Sequence, residues 1–559
     1  MHWPLAAHLG RDVPRDIGDP LVQAWQAAWG GHALLHQPLD YFQANTFWPL
    51  RNSLAFSDAL VGYAPAGMIG EGPHAAIVRY DLLFLFAYAL AFLGAYLLAR
   101  ELGARPGPAT VAGAAFAYAP WRLEQDGHLH VLSSGGIPLS LFLLARGYRR
   151  RSAVTVLAGW LVAAWQFSLG FTLGLQLGYL LAILGVGAVI VLARRRPRLT
   201  RAVVAASAIG IATLAAVAVV LARPYMQVLD DHPEAHRTEA QLDGLSGPVK
   251  QFLAAPEENL IWGKATSAIR DDLSSVPEQT LFPGLVILSL AIAGAFGSAF
   301  PRRLRIGLGA GALAFAVLSL GFHRDGAGSV YPYRLLYEIA PGWSGIRAPG
   351  RLMTLTSLGL ALLAAAGAQR TADAVGARVS RNGAVPRFVP AAALAALVLA
   401  VLVEGSGFDL GGKGRPFVAG PSHPAVPVAP ASQSGLMPPV LHLPITVAAN
   451  RRYVLWSTDG FPSIVNGRGS FDPASFARLT SEMKSFPDRA TVSRLLAMGV
   501  NTVALHTELA LGTAWQDAAI KPIERLPLER SEQGPLVVYT VRAFDEMPAV
   551  PEAPKTESP

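Results

Sequence analysis

The chain has 559 residues, of which 52% are hydrophobic and only 15% charged, a balance that fits a membrane protein with many spans and sizeable polar loops and argues against a purely soluble one. No cysteine is present, which excludes disulfides, thiolate zinc sites, thiol nucleophiles and cysteine-ligated iron–sulfur clusters. The formal charge of +8 raises the question of nucleic acid, which the placement of the basic residues answers.

In chain order, residues 1–79 contain no spanning run and read as a first extracytoplasmic loop with interfacial helices. Within it, Asp19-Pro20 marks a helix start, with Asp19 at the N-cap, Pro20 at the first helical position and Gly30-Gly31 as the stop. Leu21, Val22, Trp25, Ala28 and Trp29 share one face, a stripe suited to a helix lying in the headgroup region. Ten apolar runs follow, near 80–99, 107–120, 129–145, 153–168, 171–193, 202–221, 280–299, 306–322, 352–368 and 388–404, the stretch 153–193 being divided at "SLGFTLG". Residues 405–437 are rich in Gly, Pro and Ser and read as a linker. Beyond it, "VLHLPI", "YVLWS", "DPASFARLTSEM", "ATVSRLLAMG", "VNTVALH" and "PLVVYTV" alternate strand-like and helix-like patterns, predicting a small α/β domain over 438–543 and a disordered tail over 544–559. The fold class expected is an all-α polytopic membrane domain, 80–404, of about ten spans, with a small C-terminal α/β domain outside the membrane.

Alternate loops concentrate the arginines: "RELGAR", "RGYRRR", "RRRPRLTR", "PRRLR" and Arg370, Arg378, Arg381 and Arg387 together hold 18 against two acids, Glu101 and Asp373. The positive-inside rule makes these loops cytoplasmic. The other 28 of the 46 basic and 36 of the 38 acidic residues lie elsewhere, so the excess positive charge is a topology signal and no nucleic-acid partner is expected. The long loops 1–79, 222–279 and 323–350 and the C-terminal domain then fall outside a plasma membrane. A segment of 79 outer residues with no signal peptide ahead of it predicts a further span before Met1.

No predicted span carries an ionisable residue in its middle, which weakens an ion-coupled transport reading and sends the chemistry to the outer loops. In "APWRLEQDGHLH", Arg122, Glu124, Asp126, His128 and His130 are close together; Asp126, His128 and His130 are the weak candidates for a divalent metal, Mg or Mn, and the plain alternative is a solvated turn. Glu278 stands at a span entrance. Arg347 and Arg351 in "PGWSGIRAPGRL" precede the helix 352–368, where both the helix dipole and the positive-inside bias disfavour cations, so the pair calls for an anion such as a lipid-linked phosphate. For Asp19 the plain alternative is a cap and nothing more.

With "GDPLVQAW", "FAYAPWRLEQDGHLHVLSSGGIPLSLFLLAR", "EQTLFPG", "GIRAPGRL" and "NGRGSFDP" spread along most of its length, the chain resembles the GT-C superfamily of integral-membrane glycosyltransferases, in particular a broad bacterial multi-pass group. The resemblance implies an essential Asp in the first outer loop, a position Asp19 matches, and transfer of a hexosyl or pentosyl group from a polyprenyl-phosphate donor to an extracytoplasmic glycan, lipid or protein, sometimes with a divalent metal. On that reading Asp19 is the catalytic base and Arg122, His128, His130, Glu278, Arg347 and Arg351 bind substrate. The rival expectations are a lipid or polysaccharide transporter and a catalytically idle membrane scaffold with a binding domain.

Overall fold

The computed structural model describes residues 2–195, 199–297, 299–322, 332–380, 388–407, 422–430 and 435–543. Arg381 and Arg387, residues 196–198 of the arginine-rich loop, residues 323–331 of the 323–350 loop, most of the 405–437 linker and the 544–559 tail lie outside these.

The chain is a multi-pass membrane protein, mostly helical. We number its principal helices α1 (Asp19–His36), α2 (Gly72–Leu102), α3 (Pro106–Ala117), α4 (Gly136–Arg150), α5 (Ala153–Leu169), α6 (Phe171–Arg195), α7 (Arg201–Asp231), α8 (Leu285–Ala295), α9 (Arg302–Leu318), α10 (Met353–Ser380) and α11 (Phe388–Glu404). Each of the ten predicted runs falls on one of α2 to α11, and among the described residues five segments are long and apolar enough to cross a membrane: Gly72–Leu102, Leu129–Arg150, Phe171–Arg194, Arg201–Asp231 and Pro349–Arg378. The expected count of ten is not confirmed. Shorter apolar helices account for the difference: the 11 residues of α8 rise about 17 Å against a hydrocarbon core of about 30 Å.

Packing sorts these helices into centre and rim. The Pro349–Arg378 window is 89% buried within the protein, whereas those of α6 and α7 are 22% and 17% buried and present apolar side chains outward, as lipid-facing helices do. At the centre α8 crosses α10 glycine on glycine: a Cβ on Gly294 would lie 1.9 Å from the Leu363 carbonyl oxygen, and one on Gly367 1.9 Å from that of Leu290. Small residues let the two backbones touch, which is how helices gain contact where water supplies no driving force. The α8 N-terminus is capped by the buried Glu404 carboxylate, which accepts from the Leu285 and Val286 amides at 2.6 and 2.9 Å and satisfies two orphan donors beside the positive end of the helix.

At one end of this bundle the arginine-bearing segments 100–105, 146–151 and 370–373 meet. Arg146 and Arg149 pair with Glu101 at 3.2 and 3.3 Å, Arg105 pairs with Asp373, and Arg370 donates to the Ala293 carbonyl. The remaining long segments gather at the other end.

Three expectations for α1 are corrected. Gly18, not Asp19, is the N-cap residue, and Asp19 begins the helix without capping it, which frees its carboxylate for other partners. The helix also runs through Gly30-Gly31 to His36, because those glycines serve close approach: a Cβ on Gly31 would lie 1.9 Å from the Gly67 carbonyl carbon. The tryptophan stripe meets protein instead of headgroups, for Trp25 and Trp29 are buried and donate to Asn45 Oδ1 and the Tyr41 carbonyl at 2.9 and 3.0 Å.

The C-terminal domain has a four-stranded sheet of β1 (Val440–Leu443), β2 (Thr502–His506), β3 (Leu528–Gln533) and β4 (Leu536–Val541) in the order β1-β2-β4-β3, with β1 parallel to β2 and the other pairings antiparallel. Its helices are α12 (Val447–Trp456), which absorbs "YVLWS", α13 (Ala474–Glu482) and α14 (Arg489–Ala497). The strand β3 escapes the sequence pattern because it is a largely exposed edge, "LERSEQ", with no apolar alternation. α12 packs on α1, and residues 11–15 pair with residues 422–426, so the domain is seated on the first loop.

Candidate active site

Asp19 stands in the first turn of α1 with its carboxylate 41% exposed. One oxygen, Oδ2, lies 3.4 Å from His128 Nε2, and the other, Oδ1, accepts from Arg451 Nη2 at 3.2 Å. Burial acts to raise its pKa, but the hydrogen bond and charge of His128, with the charges of Arg451 and His130, outweigh it and hold the carboxyl well below the ordinary range. His128 is oriented from behind by Gln125, whose Oε1 lies 3.0 Å from Nδ1.

A second, deeper group adjoins it. Arg351 forks onto Glu278 with Nε to Oε2 at 3.2 Å and Nη2 to Oε1 at 2.7 Å, the bidentate geometry that guanidinium and carboxylate share. Both side chains are 8% exposed. Burial acts to raise the Glu278 pKa and Arg351 more than reverses this, keeping the carboxyl ionised below its usual value. Arg351 also places Nη1 2.9 Å from His130 Nε2, and Nδ1 of the same ring lies 3.4 Å from Gln23 Nε2. Asp58 Oδ2 lies 3.7 Å from His130 Nε2, and Asp58 Oδ1 accepts from the Phe171 amide at 2.7 Å. Burial raises the Asp58 pKa against that hydrogen bond and the Arg351 charge, so the carboxylates of Asp58, beside His130, and Asp19, beside His128, are driven in opposite directions. Environments of this kind mark acid–base sites.

The structure thus brings together Asp19, His128, His130, Glu278 and Arg351 from four separate segments. Arg347 is exposed above them and makes no hydrogen bond or ion pair among the described residues, while its charge reaches Glu278 and Arg237. Arg122 and Asp126 stand apart. Arg122 is fully buried, donating to Ser134 Oγ at 3.2 Å and the Leu132 carbonyl at 3.0 Å with its guanidinium 5.4 Å from the Tyr88 ring centre, and Asp126 accepts from the Tyr88 hydroxyl at 2.5 Å. They brace the 119–130 loop from behind. With Asp126 so placed and the His128 and His130 rings edge to face at 5.7 Å, the three candidate metal ligands do not converge, and no group of three or more His, Asp or Glu side chains among the described residues could hold a metal ion.

Asp58 and Arg451 are members that sequence reasoning missed. The signals were thin: Asp58 is one acid in a polar-apolar loop, and Arg451 one of two adjacent arginines in the C-terminal domain. Beside Asp58 an apolar cleft is lined by Phe42, Val61, Phe167, Phe171, Leu221 and Tyr225, between the start of α6 and the end of α7.

No protein-family model matches the chain, and a search of curated proteins finds no match. Among solved structures it is similar to the archaeal oligosaccharyltransferase AglB from Archaeoglobus fulgidus, solved with an inhibitory peptide and a dolichol-phosphate, at 12% identity and a TM-score of 0.42, over 95% of this chain and 71% of that one. It is similar also to ArnT from Cupriavidus metallidurans, at 12% identity and a TM-score of 0.42, over 96% of this chain and 95% of that one.

Proposed function

We propose that the protein is a membrane glycosyltransferase that moves a sugar from a polyprenyl-phosphate donor to an acceptor on the extracytoplasmic side. The observation that carries this reading is an ionised, partly exposed carboxylate, Asp19, set beside a buried His130–Arg351–Glu278 group where lipid-facing helices end at an apolar cleft. The acceptor hydroxyl attacks the anomeric carbon, its proton passes to Asp19, and the bond from that carbon to the phosphate oxygen breaks with the electron pair leaving on phosphate. Arg351 is already matched by Glu278, which leaves Arg347, with Arg237 nearby, as the guanidinium free to take up phosphate charge. On this reading the donor's apolar chain lies along α6 and α7, past the mouth of the cleft beside Asp58.

The raised pKa of Asp58 supports a second reading in which Asp58 takes the proton, since a base works best with a pKa near the working pH. Membranes containing the full chain, supplied with radiolabelled polyprenyl-phosphate sugars, separate these. Asp19→Asn is expected to lower product formation by about a hundredfold or more, with Asp58→Asn far milder. The reverse order moves the base to Asp58, and wild-type membranes that form no product defeat the transferase reading.

A further inference from the structure

Among the described residues the C-terminal domain reaches the site through the Arg451 side chain. Arg451 lies 432 positions from Asp19 in the chain, on α12, and its Nη2 donates to Asp19 Oδ1. We propose that Arg451 is a positioning residue for the transfer, so that the C-terminal domain is a constituent of the reacting centre and not an accessory module; this rests on the reading of Asp19 given above.

Several independent features deliver the guanidinium to that place. α12 is a held element: Thr446 caps it by accepting from the Ala449 amide, Asn450 Oδ1 accepts from Asn466 Nδ2 at 3.0 Å, and Trp456 Nε1 donates to the Pro427 carbonyl at 3.1 Å. Tyr453, Val454, Leu455 and Trp456 are buried and belong to the same apolar core as α1. The guanidinium passes against Gly18, where an added Cβ would lie 3.3 Å from both its Cζ and Nη1, so the residue ahead of Asp19 leaves room for it. Its Nε is buried and has no partner among the described residues.

The consequence for Asp19 is geometric. His128 engages Oδ2 and Arg451 engages Oδ1, so the carboxylate is fixed from the membrane domain on one side and from the C-terminal domain on the other, with its exposed side left for the acceptor hydroxyl. A carboxylate held by one partner alone retains rotation about its side-chain bonds, and loss of alignment at the reacting atoms is a rate effect more than a binding effect. Since donor binding falls to other residues, removal of Arg451 leaves donor affinity in place.

Turnover of radiolabelled polyprenyl-phosphate sugar by the full chain is the test, compared for wild type, Arg451→Met and Arg451→Lys at saturating and limiting donor. Arg451→Met is expected to lower kcat by about tenfold or more with the donor KM within about twofold, Arg451→Lys to recover part of the loss, and millimolar guanidinium ion to restore part of the Arg451→Met activity. Wild-type kcat in Arg451→Met overturns the proposal. So does a loss that follows the amount of folded protein and is recovered by neither lysine nor guanidinium. Should Arg451→Met fail to fold, the kcat and KM of Arg451→Lys decide, a change in KM alone being the contrary result. No turnover by the wild type overturns the transferase reading first, and the positioning role with it.

Discussion

Arg347 and Arg351 entered the argument as a matched pair, and the structure gives them different work. Arg351 is a buried cation whose charge is met by Glu278 in two hydrogen bonds, so truncating it leaves a carboxylate buried without a partner, a change that costs about 3–5 kcal/mol. Arg347 is exposed and free of ion pairs among the described residues. Arg351→Ala is therefore expected to lower the thermal unfolding temperature in detergent markedly, whereas Arg347→Ala leaves it unchanged and raises the donor KM about tenfold, the equivalent of one charge-assisted contact. Thermal melts and donor titrations of the two variants check this; a shared phenotype would return them to a single clamp.

At the level of elements, α8 and α10 touch through Gly294 and Gly367, and α10 follows directly on the turn that carries Arg351. Gly367→Val inserts atoms where the Leu290 carbonyl already lies, so a fall in unfolding temperature of several degrees is expected even though the added side chain suits a membrane helix in composition. Scanning fluorimetry of the purified chain gives the answer. In the C-terminal sheet, His442 on β1 and His506 on β2 sit buried with Nδ1 and Nε2 3.1 Å apart, both stacked on Tyr453. Burial lowers the His506 pKa to about 3, below the 6.5 of a free imidazole, so the unfolded state binds the proton more readily. Stability is accordingly full above about pH 6.5 and declines as the pH falls from there towards 3. Unfolding midpoints between pH 7.5 and 4.5 should drop in the wild type and drop less in His506→Gln.

Across the whole molecule, the arginine loops and the candidate site occupy opposite ends of one bundle, and this separation gives the proposed sidedness its physical basis. Because the chain has no cysteine, single replacements report location cleanly. A membrane-impermeant maleimide added to intact cells is expected to label Ala514→Cys, exposed in the C-terminal domain, and to leave Arg302→Cys unlabelled until the cells are broken. Labelling of position 302 in intact cells would reverse the orientation and remove the proposed acceptor side. The apolar runs, the break at Gly170 between α5 and α6 and the gathering of arginines at one end were legible because hydrophobic length and charge sign are properties of short windows of chain.

Much of the candidate site was legible too, since Asp19, His128, His130, Glu278, Arg347 and Arg351 stood out as polar residues in the loops beside apolar runs. What the sequence determined by itself, then, was where polar chemistry could survive beside a membrane. Tertiary structure alone decided which of those groups meet. Arg122 and Asp126 turned inward to Tyr88 and backbone carbonyls, the two tryptophans of α1 were covered by protein, and Asp58 and Arg451 arrived from a loop and a distant domain. The physical reason is that burial and pairing depend on how helices cross, and a crossing such as Gly31 on Gly67 is made between segments whose approach no local pattern encodes.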